Sequence, residues 1–145
     1  MTSKTDNRTR GGKFEQELAG ELYDHGFWCH VIQQNKSGQP ADIIAVKGKY
    51  HTLIDCKVVS DEHGFTFDRI EENQKFAMRM FHKRCMDMCY FAIRLPDGSV
   101  WMLSLERIDM LRMKHMKGLR ESVLRKEAWP LEKWLNASDT WAEDV

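Results

Sequence analysis

The chain has 145 residues, 42% hydrophobic and 30% charged, with 22 Lys plus Arg balanced by 22 Asp plus Glu. This composition fits one folded domain with a real core and excludes an intrinsically disordered chain. No apolar run approaches the ~20 residues of a membrane span, residues 1–10 lack a secretory apolar stretch, and four cysteines without framework spacing (Cys29, Cys56, Cys85, Cys89) predict reduced thiols in a cytoplasm.

Residues 1–10 are polar and basic without periodicity, which predicts a disordered tail ahead of a single domain over residues 11–145. From residue 13 to about 25, Phe14, Leu18, Leu22 and His25 recur at helical spacing, and Gly26 closes the helix. Residues 27–33 alternate and are aromatic-rich, as a strand would be. Residues 35–40 are a loop by composition. A hairpin is predicted over residues 41–59, turning at Gly48-Lys49, where a Gly-first two-residue loop suits a type II′ turn. Its strands are almost continuously apolar, so both faces should be covered. After a connection through Gly64, Asp68 reads as an N-cap with Glu71 as its capping-box partner. The helix should reach about Arg84, with Ile70, Ala77 and Phe81 inward. Residues 88–95 and 99–103 read as strands around a Pro96-Asp97-Gly98 turn, and residues 105–113 as a short helix. The last stretch, about 104–145, forms a helical extension whose Trp129, Trp134 and Trp141 serve packing or a subunit contact. The order predicts an α/β fold: a mixed sheet with helices packed on it.

The hairpin carries the chemistry. With Lys47 paired to Tyr50 across the turn, counting outwards sets Asp42 opposite Asp55. Opposed residues have Cβ atoms roughly 4.5–5.5 Å apart, and like charges there destabilise a sheet. Two solvated strand ends would explain either aspartate alone. A divalent cation explains both, because Mg²⁺ takes oxygen ligands from one or two carboxylates. Lys57 shares the face of Asp55 and brings a positive charge, or a proton donor, beside the ion. Glu15 borders the apolar stripe of the first helix, where an ordinary boundary glutamate is the plainer explanation.

Charge is segregated although its sum is zero. Lys4, Arg8, Arg10 and Lys13 are basic, and so are Arg107, Arg112, Lys114, Lys117, Arg120, Arg125 and Lys126. Such stretches can build a groove for phosphates, although solvated helix faces explain the second stretch almost as well. Arg8, Arg10, Lys13 and Lys36 are the expected DNA contacts. His82, Cys85 and Cys89 lack the four-ligand spacing of structural zinc.

Gly12-x-x-Glu15, then His25-Gly26-Phe27, then the run from Ser37-Gly38-Gln39-Pro40 through Ala41-Asp42-Ile43-Ile44-Ala45, then Ile54-Asp55-Cys56-Lys57 resembles the PD-(D/E)XK nuclease superfamily. Within it the likeness is to Holliday-junction resolvases, the archaeal type and RecU with its phage relatives, and it spans roughly residues 11–103. The resemblance implies a restriction-endonuclease-like core (αβββαβ). It implies metal ligation by Glu15, Asp42 and Asp55, and a catalytic role for Lys57. Ala41 separates Pro40 from Asp42, and Asp55 stands where Glu is more frequent; both are departures from the motif. Ser37 and Gln74 match positions beside the site. The implied activity is Mg²⁺-dependent endonuclease cleavage of branched or duplex DNA, with Mn²⁺ substituting, 5′-phosphate products and a homodimer that nicks symmetrically. A sequence- or damage-directed nuclease of the same fold, or a binding module that has lost catalysis, are the alternatives. The joint presence of Glu15, Asp42, Asp55 and Lys57 argues against the second.

Overall fold

The computed structural model describes residues 4–33 and 38–143, with side chains from residue 12 onward. Helix α1 (Lys4–Asp24) leads into β1 (Trp28–Val31), and β2 (Ile43–Lys47) and β3 (Tyr50–Val58) form the hairpin. A short β4 (Phe65–Thr66) and a 3₁₀ turn over Phe67–Arg69 precede α2 (Glu72–Cys85). Then come β5 (Tyr90–Arg94), β6 (Val100–Ser104), α3 (Leu105–Met113), β7 (Gly118–Leu119), α4 (Glu121–Glu127), β8 (Trp129–Pro130) and α5 (Leu131–Ala142).

Six strands make one mixed sheet in the order β1-β2-β3-β5-β6-β8. Among these strands β3 and β5 are the parallel pair, and α2 supplies the crossover that such a pair needs. β4 and β7 form a separate two-stranded ladder. The sheet is covered on both faces, which accounts for the apolar runs in the central strands. On one face Phe14, Leu18 and Leu22 of α1 and Leu131, Trp134 and Leu135 of α5 pack on Ile43, Ala45, Ile54, Tyr90, Ala92 and Met102. On the other, Met78 of α2 and Leu105, Ile108 and Leu111 of α3 pack on Leu53, Phe91, Ile93 and Leu103, with Phe65 and Phe67. Successive residues of β3 and β5 alternate between the two layers, as the pleat requires.

The hairpin turns where predicted. Lys47 pairs with Tyr50, and of the two loop residues only Gly48 has positive φ (54°), as a type II′ turn demands.

Two expectations need correcting. The first helix does not begin at residue 13, because its backbone runs from Lys4 through part of the expected disordered tail. That segment has no proline to stop it, and extending an anchored helix avoids the cost of a new nucleus. The cap of α2 is Glu71, not Asp68. Glu71 and Gln74 form the capping box, while Asp68 lies in the 3₁₀ turn. The C-terminal extension also contributes to the sheet and the core. β8 joins the main sheet, with Trp129 paired to Met102, and α5 closes one core layer.

Candidate active site

The carboxylates gather at the end of the hairpin away from its turn. Asp55 lies on the same face of β3 as Leu53 and Lys57, towards α2, and is 1% exposed. Asp42 lies one residue before β2. The regular ladder stops at Ile43↔Ile54, and Asp42 then bonds through its own N–H to the Ile54 carbonyl at 3.1 Å. Its side chain leans across the strand end. Oδ2 accepts from the Cys56 N–H at 2.7 Å and Oδ1 from Gln39 Nε2 at 3.3 Å. Glu15 arrives from α1 on the other face, buried and near enough to Asp42 for that carboxylate to help raise its pKa. The site therefore straddles the sheet, with α1 and α2 reaching it from opposite sides.

Asp55 is held from two directions. Gln74 Nε2 donates to its Oδ1 at 2.8 Å, and Lys57 Nζ stands 3.0 Å from Oδ2. Apart from that ammonium, Oδ2 is buried without a partner among the described residues. Gln74 also serves its own helix, where its Oε1 accepts from the Glu71 N–H at 3.3 Å. One amide thus caps α2 and fixes the rotamer of Asp55.

Electrostatics follow from burial. Desolvation, and then the neighbouring charge of Asp42, push the Asp55 carboxyl well above its usual range, against the opposing pull of Lys57. Burial first and Asp42 second also push Glu15 up, to about 7. Without a cation the cluster therefore keeps protons that an exposed carboxylate would have released.

No three His, Cys, Asp or Glu side chains among the described residues converge into a ready ligand cage. The donor chemistry nonetheless fits a hard divalent ion: a buried Asp55 carboxylate oxygen that meets only an ammonium, a second aspartate beside it and a third acid near that one.

A pH dependence follows. Glu15 and Asp55 have folded-state pKa values above their unfolded ones. Their contribution is complete below the unfolded values and is lost as pH rises through the folded ones. The metal-free melting temperature should fall from about pH 5 to about pH 7 and beyond. Mg²⁺ should restore it most at the upper end, because it displaces protons and binds only the folded state. Asp42→Asn should flatten both the decline and the increment. Calorimetry with EDTA and with Mg²⁺ tests this, and a pH-independent, metal-independent curve would refute it.

The structure brings Asp42, Asp55, Lys57 and Gln74 together at the strand ends and places Glu15 near Asp42, without closing the three acids into one cluster. Lys13 is exposed on α1 beside the same helix's Glu17, 3.9 Å away. Arg8 and Arg10 lie on the α1 backbone, but their side chains, like Lys36 and Ser37 altogether, fall outside the described residues. Two residues escaped the sequence reading. Gln39 steadies Asp42, and Asn73 Nδ2 donates to the Gln39 carbonyl at 3.3 Å, tying the loop before Asp42 to α2. The only signal for Gln39 is its position three residues before Asp42.

No helix among the described residues is long and apolar enough to cross a membrane. The family model described as archaeal Holliday junction resolvase (Hjc) matches residues 6–140. Among solved structures, Hjc from Archaeoglobus fulgidus, a Holliday junction resolvase from an archaeal hyperthermophile, is similar with a TM-score of 0.66 and 19% sequence identity. The match covers 87% of this chain and 98% of that one. At that identity the likeness shows the fold, which is restriction-endonuclease-like. No curated protein matches the chain. A family match across nearly the whole sequence, on a sheet that carries the expected acids at one end, leads to one conclusion: the chain belongs to the archaeal Holliday junction resolvase family.

Proposed function

We propose that this chain, a structure-selective junction endonuclease by its family, cuts four-way DNA with Mg²⁺ held by Asp42 and Asp55 with help from Glu15, Mn²⁺ substituting. The observation that carries this reading is the buried Asp55 Oδ2, which meets the Lys57 ammonium at 3.0 Å, has no other partner among the described residues and sits beside Asp42. Mg²⁺ held there would polarise the scissile phosphoryl oxygen and help activate a water. The protein residues do the rest. Gln74, the Cys56 N–H and Gln39 fix the carboxylate oxygens so that they need not reorganise. Lys57, 15% exposed, orients the attacking water or stabilises charge that builds on the phosphate. Cleavage leaves a 5′-phosphate. Ser37 lies near the scissile phosphate in this reading, and Arg8, Arg10, Lys13 and Lys36 contact the DNA backbone. The protein acts in the cytoplasm, where its substrate is.

We also propose a homodimer. One chain supplies one site, and a junction needs two nicks in strands of like polarity; a two-fold dimer matches the junction's own symmetry. The test is a supercoiled plasmid that extrudes a cruciform, cut with Mg²⁺ or held with EDTA. Parent protein should give linear product. Parent protein exchanged with excess tagged Asp55→Asn protein should give nicked circles. Preference for duplex over junction would overturn the substrate assignment, and linear product unaffected by the inactive partner would overturn the dimer.

A further inference from the structure

Strand pairing does not hold the Asp42 carboxylate. The ladder between β2 and β3 ends at Ile43↔Ile54, so Asp42 stands just outside it. Among the described residues two donors direct its side chain, the Cys56 N–H at 2.7 Å and Gln39 Nε2 at 3.3 Å. The first belongs to β3. The second belongs to a loop, and a loop amide orients a carboxylate only if the loop itself is fixed. Asn73 of α2 fixes it. Its Nδ2 donates to the Gln39 carbonyl at 3.3 Å. The residue before Gln39 is Gly38, whose φ is 80°, and a Cβ added there would stand 2.7 Å from the same Nδ2. Glycine thus serves both the left-handed backbone and the close approach of the loop to Asn73.

The next residue of α2 holds the other carboxylate. Gln74 Nε2 donates to Asp55 Oδ1 at 2.8 Å, and Gln74 is itself tied into the capping box of its helix. Consecutive residues of one helical turn therefore serve both aspartates, Gln74 directly and Asn73 through Gln39. Asn73 is exposed and is not the cap of α2, so neither burial nor capping accounts for where its amide points. The spacing of the two carboxylates depends on this turn as well as on the sheet. Mg²⁺ demands near-octahedral oxygens at about 2.0–2.1 Å, whereas Ca²⁺ accepts a looser arrangement at about 2.3–2.6 Å. Loosening Asp42 therefore penalises the smaller ion more.

We propose that Asn73 is a positioning residue for the metal ligands: through the Gln39 loop it fixes Asp42 relative to Asp55, and so favours Mg²⁺ over the larger Ca²⁺. This rests on the metal-ligand reading above. The effect runs from the Asn73 amide to the Gln39 backbone, and from the Gln39 side chain to Asp42 Oδ1. Partners that orient a ligand from behind typically contribute about 10–100-fold to metal affinity or activity.

The test uses the full chain, first without DNA. Melting temperature is followed as Mg²⁺ or Ca²⁺ is raised, which gives an affinity for each ion from its stabilisation of the folded state. N73A should bind Mg²⁺ about ten-fold more weakly and Ca²⁺ at most about three-fold more weakly. Its melting temperature in EDTA should barely move, because the position is exposed. In cleavage of a four-way junction, the Mg²⁺ concentration for half-maximal rate should rise by about the same ten-fold while the maximal rate stays within about three-fold. A general loss of structure gives no such split. Q39L keeps the side-chain size without the donor and should reproduce N73A, and N73A/Q39L should be no weaker than Q39L, since the two residues act in series. Unchanged Mg²⁺ affinity in N73A overturns the proposal. So does an equal loss for both ions, or a further loss when N73A is added to Q39L. A parent whose melting and cleavage ignore Mg²⁺ overturns the metal reading and this proposal together, whereas a parent that responds to Mg²⁺ while N73A responds identically overturns this proposal alone.

Discussion

Asp55→Asn, or Lys57→Ala, should lower junction cleavage by at least about 10²-fold, the usual loss when one strong electrostatic contributor is removed from a pre-organised site. Junction affinity in Ca²⁺ should change little, because neither side chain faces out as a phosphate contact: Asp55 is 1% exposed and Lys57 15%. The two variants should differ in stability. Asn at position 55 removes a repulsion with Asp42 and keeps an acceptor for Gln74, so its metal-free melting temperature should rise. Ala at position 57 takes away a cation beside a buried carboxyl, so its melting temperature should fall at neutral pH. Quenched-flow cleavage beside anisotropy and calorimetry separates these effects. Near-normal cleavage by either variant would refute the site.

The second large effect lies far from the chemistry. Trp134 is fully buried in α5. It stacks on Phe27 at 5.7 Å between ring centroids and meets Tyr90 edge-on at 5.4 Å, with Tyr50 and Trp141 also in contact range. Trp134→Ala should cost about 3–5 kcal/mol, the range for emptying an aromatic site in a core. Against a typical total of about 5–15 kcal/mol, that leaves a domain near its folding limit. Urea unfolding measures it. A loss below about 1 kcal/mol would mean that residues 131–142 are a separable extension rather than part of one core.

The hairpin was legible because one short signal governs it. Gly48-Lys49 admits only a two-residue loop, the register follows, and alternation then puts Asp55 and Lys57 on one face. Helix α3 was read as a short helix from residue 105 to about 113 and runs Leu105–Met113, where the Ser104 hydroxyl accepts the Arg107 N–H and caps it. What failed was set by contacts between distant parts of the chain. Asp68 has a good N-cap side chain, but the Phe67 N–H bonds to the Lys117 carbonyl at 2.9 Å, which holds residues 67–69 in a 3₁₀ turn and delays the helix until Glu71. β8 pairs only two residues with β6, too few for any pattern to announce a strand. The local step at Asp42, which aims its carboxylate at the Cys56 N–H instead of straight across at Asp55, has no signature in residue type at all.

The parallel pairing of β3 with β5 has a consequence for the newly made chain. The hairpin is local and can close within about 1–10 μs of leaving the ribosome. At that stage its two aspartates stand in water, ordinary acids with little hold on a cation. Asp55 gains Gln74 only when α2 has crossed back and β5 has docked against β3. A nascent chain with both carboxylates already translated therefore still lacks the contact that fixes Asp55 in the folded protein. That contact arrives with the crossover, not with the hairpin that carries the acids.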